Sequence, residues 1–385
     1  MSPPPDLICF SHLRWDFVWQ RPQHLMTRAA AGRRVWFVEE AVDGERAALT
    51  LRTVERGVQV VRPVIPAGTG RREHERQLRL MIGELASTVV GPCPTCWYYT
   101  PMALPISAAI DAGVVVYDCM DELSGFAGAP PNLARLEREL FARATLVFTG
   151  GRSLFEAKRH NHPSVHLFPS SVDTAHFRRA RSAIDDPPDQ AALRKPRIGY
   201  CGVLDERLDT ALLAAVAARR PDWEFVLVGP VVKIESSALP VARNLHYLGM
   251  KPYDALPAYL SGWDVAMLPF ARNAATRFIS PTKTPEYLAA GRRVVSTSIA
   301  DVVHPYGHQG LAEIADTPED FIAAVERVLT TCPERHTARA DAFLAGVSWD
   351  STWQRMEALI AEAGRSRSAL TNRTLPDPAI ERSNV

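Results

Sequence analysis

Lys283 and Glu286 stand three residues apart within the segment Asn273–Gly291. On a helix this spacing puts both side chains on one face. An ammonium can meet phosphate oxygens, and an ionised carboxylate, being acceptor-only, can take both hydroxyls of a ribose. The pair therefore reads as a grip for a nucleotide, although the same spacing also suits an ordinary surface ion pair. Ser280 is a favoured N-cap type, Pro281 suits the first helical position and Gly291 the C-terminal stop. A helix is predicted to begin there, presenting the free N–H groups around Ser280, Thr282 and Lys283 to an anion such as a diphosphate. Pro285 falls in or just past its first turn, where a missing donor costs little. A second cation is expected beside Lys283. Arg207, after the turn that ends Gly199-Tyr-Cys-Gly202, and Arg277 both qualify, and the sequence leaves the choice open.

Residues of the first half supply the other set of candidates. The loop Ser11–His24 carries His12, Arg14, Trp15, Trp19 and Arg21. The indoles can stack on a sugar face and the arginines can hold phosphate or carboxylate. They can equally pack the loop onto its own domain, with Arg21 pairing locally. Asp118 and Asp121, in Asp118-Cys-Met-Asp-Glu122, follow an apolar run and are placed to orient a substrate hydroxyl, or else to cap the next segment. His12, Arg21, Asp118 and Asp121 are the catalytic candidates. Asp-x-Asp, a triplet able to hold a divalent metal ion, does not occur in the sequence. Activity without metal and without a cofactor is expected, charge being neutralised by Lys283, its helix terminus and an arginine.

These residues have to be positioned by scaffold, and the scaffold is legible. Apolar strand-like runs (Leu7–Phe10, Val35–Glu39, Val58–Arg62, Trp97–Thr100, Val114–Asp118, Leu146–Thr149, Val165–Phe168) alternate with amphipathic stretches such as Gln23–Ala31, Glu73–Ser87 and Leu133–Arg143. After a polar, proline-containing interval the alternation restarts at Arg197–Cys201 and runs through Glu224–Val228, Val265–Leu268 and Val294–Thr297. Such alternation implies parallel sheets flanked by helices. The fold class is α/β, with two Rossmann-like domains facing across a cleft. Residues 1–180 form the first (acceptor) domain, 181–196 a linker and 197–348 the second (donor) domain. Residues 349–364 form a helix that crosses back to the first domain, and 365–385 a disordered tail. Trp349, Trp353 and Met356 lie on one helical stripe and should meet the first domain. Ligands of open parallel sheets sit beyond the carboxyl ends of the strands, where the candidate residues cluster.

Bulk properties exclude other classes. With 44 basic and 43 acidic residues among 385, the net charge of +1 draws no nucleic acid. The N-terminus lacks the cationic start and apolar core of a signal peptide, and no apolar run reaches about 18 residues. A cytoplasmic protein is expected, with association at the inner membrane face left open. Six scattered cysteines suit buried thiols in a reducing compartment. The Cys93-Pro-Thr-Cys96 spacing lacks a second pair to complete a metal site.

The run Ser280-Pro-Thr-Lys-Thr-Pro-Glu-Tyr-Leu-Ala-Ala-Gly-Arg-Arg-Val-Val-Ser296 closely resembles the donor-site motif of bacterial GT-B glycosyltransferases, the retaining group often called family 4. Phe168-Pro-Ser-Ser-Val-Asp-Thr-Ala-His-Phe177 resembles that family's segment ending the first domain. Ile198–Gly202 resembles its G-x-x-G opening of the second domain, and Ser348–Trp353 the start of its final helix. The resemblance spans roughly residues 7–363. It implies that Glu286 binds the nucleotide ribose and that a UDP- or GDP-sugar is the donor. A saccharide or lipid-linked acceptor is implied too, with retention of configuration. The Ser11–His24 loop is similar to that of a subgroup associated with bacterial cell-surface polysaccharide synthesis. Two departures stand out: Phe278 occupies the place of a glutamate that often contacts the donor sugar, and the usual Arg–Lys pair after the G-x-x-G turn is missing. Two other readings remain. One is a sugar-nucleotide epimerase of the same fold, which needs no acceptor. The other is a non-catalytic nucleotide-sugar-binding subunit. A nicotinamide dehydrogenase is disfavoured, because Gly199-x-x-Gly202 is not G-x-G-x-x-G.

Overall fold

The computed structural model describes residues 4–374. Two sheets divide the chain. The first has nine strands: β1 Leu7–Phe10, β2 Val35–Val38, β3 Val42–Gly44, β4 Ala48–Thr53, β5 Gln59–Pro66, β6 Thr95–Tyr98, β7 Val114–Cys119, β8 Leu146–Thr149 and β9 Val165–Leu167. Their order is β3-β5-β2-β1-β6-β7-β8-β9, with β4 antiparallel on β5 and the other pairings parallel. The second has six: β10 Arg197–Cys201, β11 Glu224–Val228, β12 Leu245–Tyr247, β13 Val265–Leu268, β14 Arg293–Ser296 and β15 Ala312–Ile314. Here the order is β12-β11-β10-β13-β14-β15, wholly parallel.

Burial on both faces explains the continuous apolar runs. In β1, Leu7 and Cys9 join the core on one face of the first sheet, while Ile8 and Phe10 join the core on the other. In each sheet the first strand lies where the winding reverses, between β2 and β6 and between β11 and β13. The loops leaving β1 and β10 at these switch points are the ones that carry His12–Arg21 and Gly202–Arg207.

The final helix, Trp349–Thr374, returns to the first sheet as expected. Trp349, Trp353, Met356 and Ile360 complete the core that contains Trp97 and Phe148. Arg28–Asp350 at 2.7 Å and Arg33–Glu357 at 2.8 Å flank this seam. The helix passes the predicted end at residue 364, so the disordered tail expected from 365 does not begin there. Gly364 costs a helix only about 1 kcal/mol, and proline is absent until Pro376. Arg367 also donates to the Ala112 carbonyl and pairs with Asp111 at 3.2 Å. Residues 375–385, the rest of that expected tail, lie outside the described residues.

The polar interval 181–196 is fixed to the second half rather than loose. Gln190 is fully enclosed and accepts the Trp263 indole N–H at 2.9 Å, and Arg181 pairs with Asp341 at 2.8 Å. Its polarity reflects polar contacts. Strands β3, β4, β12 and β15 escaped the sequence reading because they are short or lie at exposed edges, where apolar alternation is weak. Cys93 is exposed and Cys96 buried, and burial pushes the Cys96 thiol up to about 12, so the pair is not a reactive dithiol. Among the described residues, no helix is long and apolar enough to cross a membrane.

Candidate functional site

The predicted helix exists but starts late. It spans Lys283–Ala289 with Thr282 at its N-cap, not Ser280. Pro285 accounts for the shift. As third helical residue its missing N–H falls among the positions that lack an intrahelical partner anyway. A start at Pro281 would make it the fifth, where that donor is required. The C-terminus matches expectation: Gly291 adopts φ +74°, its N–H bonds to Leu288 at 2.9 Å and that of Arg292 to Tyr287 at 2.8 Å.

On this helix the Lys283 ammonium lies 2.7 Å from the Glu286 carboxylate, and the Glu286 side chain is only 6% exposed. Burial pushes Glu286 above the usual carboxylate range, and Lys283 opposes that shift. Burial also pulls on Lys283, but Glu286 holds its ammonium above the ordinary value. Lys283 lines the cleft between the sheets and Glu286 lies one layer behind it. The next residue, Tyr287, accepts the Cys201 N–H at 2.7 Å, which ties the helix to the end of β10 and the Gly202 turn.

The cleft encloses about 360 Å³ between the carboxyl ends of the two sheets. Of the predicted donor residues, Gly202, Arg207, Ser280, Thr282 and Lys283 line it. Arg277 does not; it is exposed, with its guanidinium 5.0 Å from the Phe278 ring. Arg207 forms a fork with Asp205 at 2.7–3.1 Å and lies 5.7 Å from the ring of Phe126, a first-half residue. Gly202 and Gly229 press two turns together: a Cβ at Gly229, where φ is +150°, would overlap the Gly202 carbonyl. Gly199 serves packing instead, since a Cβ there would overlap Trp263. Phe278 packs against the first half's core, so this position is committed to apolar contact between the halves.

Across the cleft, Arg21 and Asp121 line the wall, but Asp118 and His12 do not. Arg21 forks onto the fully buried Asp118 at 2.8 and 2.9 Å and donates to the Phe168 carbonyl at 2.8 Å. This pair fixes the start of the helix Arg21–Ala29 against β7, through a partner 97 residues away rather than a local one. The His12 imidazole is enclosed: burial, with Lys233 nearby, pushes it down to about 4, and its Nδ1 has no partner. Asp121 is part-exposed to the cleft. Burial pushes its carboxyl up to about 6, with Arg207 and Arg21 opposing. Trp15 is a core residue whose indole N–H meets Glu55 at 2.8 Å, and Arg14 is turned onto Glu39 at 3.3 Å. Trp19 does line the cleft, 5.9 Å from Tyr253.

Tyr253 and Asp205 were not anticipated. The Tyr253 ring stacks on His176 at 4.2 Å, lines the cleft, and holds a buried hydroxyl with no partner. Nothing local in Lys251-Pro-Tyr253 signals this. Asp205, two residues before Arg207, was visible as a neighbouring opposite charge. Among the described residues there is no cluster of three or more His, Cys, Asp or Glu able to hold a metal ion.

The chain is similar to known proteins in sequence and in fold. Residues 195–331 match the model of the family described as Glycosyl transferases group 1. A protein of Bacillus subtilis (strain 168), TuaH, assigned by name to teichuronic acid biosynthesis as a glycosyltransferase, is 25% identical over 279 residues. That match covers 66% of this chain and 69% of TuaH. Sucrose-phosphate synthase of Thermosynechococcus elongatus superposes with a TM-score of 0.72 at 14% identity, covering 94% of this chain and all of that one. Anabaena HepE, solved with UDP and glucose, superposes with a TM-score of 0.63 at 14% identity, covering 96% of this chain and all of HepE.

Proposed function

We propose that this chain, a glycosyltransferase of the GT-B type, moves a sugar from a UDP-sugar to a saccharide acceptor during assembly of a cell-surface polysaccharide, with retention of configuration. The observation that carries this reading is the enclosed Lys283–Glu286 pair at the cleft, with Arg207 on the adjoining turn. UDP is favoured as the nucleotide because HepE was solved with it. The polysaccharide role rests on the name of the Bacillus subtilis relative.

Departure of a nucleoside diphosphate places negative charge on its β-phosphate while the sugar becomes oxocarbenium-like. The site must stabilise the first and keep water from the second. In our reading Lys283 turns from Glu286 to the diphosphate, joined by Arg207 and the N–H groups near Thr282. Glu286, freed, accepts the ribose hydroxyls. Arg207 takes the role of second cation because it faces the cleft, whereas Arg277 does not. Asp121 orients the acceptor hydroxyl on the opposite wall, and the departing phosphate takes its proton. Asp118 and Arg21 act as positioning residues for that wall, and His12 stays neutral beneath it.

Calorimetric titration with UDP, GDP, dTDP and ADP tests the donor, and UDP is expected to bind most tightly. UDP release from a UDP-sugar should require an acceptor. Conversion of the UDP-sugar without any acceptor would favour the epimerase instead, and nucleotide binding without turnover a non-catalytic subunit.

A further inference from the structure

A second cavity, of about 560 Å³, shares only Ser170 and Ser280 with the donor cleft. Its walls come from three parts of the chain: Arg152 and Phe168 of the first half, His304 and Tyr306 of the second, and Arg355 of the crossover helix. Arg152 and Arg355 are exposed, and neither forms an ion pair among the described residues. The Arg355 guanidinium lies 5.0 Å from the Phe168 ring. The one acid of the lining, Asp301, is buried, with one oxygen bonded and the other without a hydrogen-bond partner. Its Oδ1 accepts the Ser153 N–H at 2.9 Å, and its Oδ2 is sealed against Gly151, where no Cβ would fit. The Ser171 and Thr352 hydroxyls bond to each other at 2.7 Å. The exposed polar groups of the lining are two guanidiniums, which only donate, and the His304 imidazole, whose neutral form has one donor and one acceptor nitrogen.

An unpaired pair of guanidiniums selects a carboxylate or phosphate. The volume, within the roughly 300–1,000 Å³ of small-molecule sites, exceeds what a bare anion needs. The half-buried Tyr306 ring in the lining suits the apolar face of a pyranose. We propose that this cavity is a second saccharide site, separate from the donor cleft, which binds a sugar bearing a carboxylate or a phosphate. Its occupant touches both halves and the crossover helix at once. The site stands independently of the donor assignment.

The test is calorimetric titration of the full chain, with UDP saturating the donor cleft. The probes are a hyaluronan tetrasaccharide, which carries glucuronate, and glucose 6-phosphate; chitotetraose is the neutral control. At least one anionic probe is expected to bind with UDP present, and chitotetraose much more weakly. The double variant Arg152→Gln/Arg355→Gln should weaken that probe about tenfold while melting as the parent does. Glu286→Gln should leave the probe's affinity unchanged, so failure of the donor assignment would show separately, in UDP binding. The proposal is overturned if neither anionic probe binds, if UDP displaces the probe, if chitotetraose binds as well, or if the double variant binds the probe as tightly as the parent.

Discussion

Lys283 and Glu286 form an ion pair of 2.7 Å whose carboxylate is almost wholly enclosed and whose ammonium faces the donor cleft. A charge in such a place is held by its partner, and removing one member strands the other. Glu286→Gln keeps the shape but turns one acceptor into a donor. Each charged hydrogen bond lost is worth about 1.5–3 kcal/mol, so UDP affinity should fall by roughly one to four powers of ten. Lys283→Ala should weaken UDP far more than uridine, and should also cost about 3 kcal/mol of stability by leaving Glu286 unpaired. Titration of both ligands into both variants, with urea unfolding, checks this. Parent-like UDP binding by Glu286→Gln would remove Glu286 from the site.

Asp121 offers a pH handle. Its carboxyl titrates at about 6 in the folded chain, against 3.8 ordinarily, because burial disfavours its charge. Protonation is therefore favoured by folding. That stabilisation is complete below 3.8 and disappears as pH rises through about 6. At pH 7.5 the ionised group is a burden, and Asp121→Asn should stabilise the chain by about 1–2 kcal/mol, allowing for its partial exposure. If the ionised form orients the acceptor, kcat/KM should fall as pH drops through about 6, and Asp121→Asn should lose activity at every pH. A variant with full activity would end this role.

The Arg21–Asp118 pair is buried, with the guanidinium held by the carboxylate at Nε and Nη2 and by the Phe168 carbonyl at Nη1. Arg21→Gln leaves a carboxylate with no cation in the core, at a cost of about 3–5 kcal/mol. Denaturant unfolding should show this loss, while UDP affinity of the folded fraction stays within about threefold of the parent. A stable Arg21→Gln protein with no turnover would instead make Arg21 a catalytic residue.

Met356→Ala on the crossover helix should cost about 2–5 kcal/mol, since its side chain is fully enclosed in the first half's core. A loss under 1 kcal/mol would mean that the helix is only lightly docked.

Transfer should proceed in EDTA, because Lys283, Arg207 and the helix terminus are assigned the diphosphate charge. Activity lost in EDTA and restored by Mn²⁺ would contradict that assignment.

What was legible in the sequence depended on distance along the chain. The donor block could be read because proline, lysine, glutamate and glycine act within one short helix, and the crossover stripe because Trp349, Trp353 and Met356 keep helical spacing. Arg21 and Asp118 are 97 residues apart, so their pairing is a property of the fold. That Arg207 lines the cleft and Arg277 does not depends on the direction of each side chain, which spacing does not give. The helix start was misplaced because Pro285 counts backbone donors, and Ser280 and Pro281 look like a cap when read alone. The buried hydroxyl of Tyr253 depends on packing against His176, from another segment.

The crossover helix has a temporal consequence. Trp97 and Phe148 are synthesised well before Trp349, Trp353, Met356 and Ile360, which complete their core. Between residues 181 and 349 translation runs for on the order of ten seconds, at roughly 5–20 residues per second. Throughout that interval the first sheet lacks the side chains that cover this aromatic part of its core. Completion of the first half's core therefore waits for the crossover helix, and a chain truncated before Trp349 should lack that part of the core.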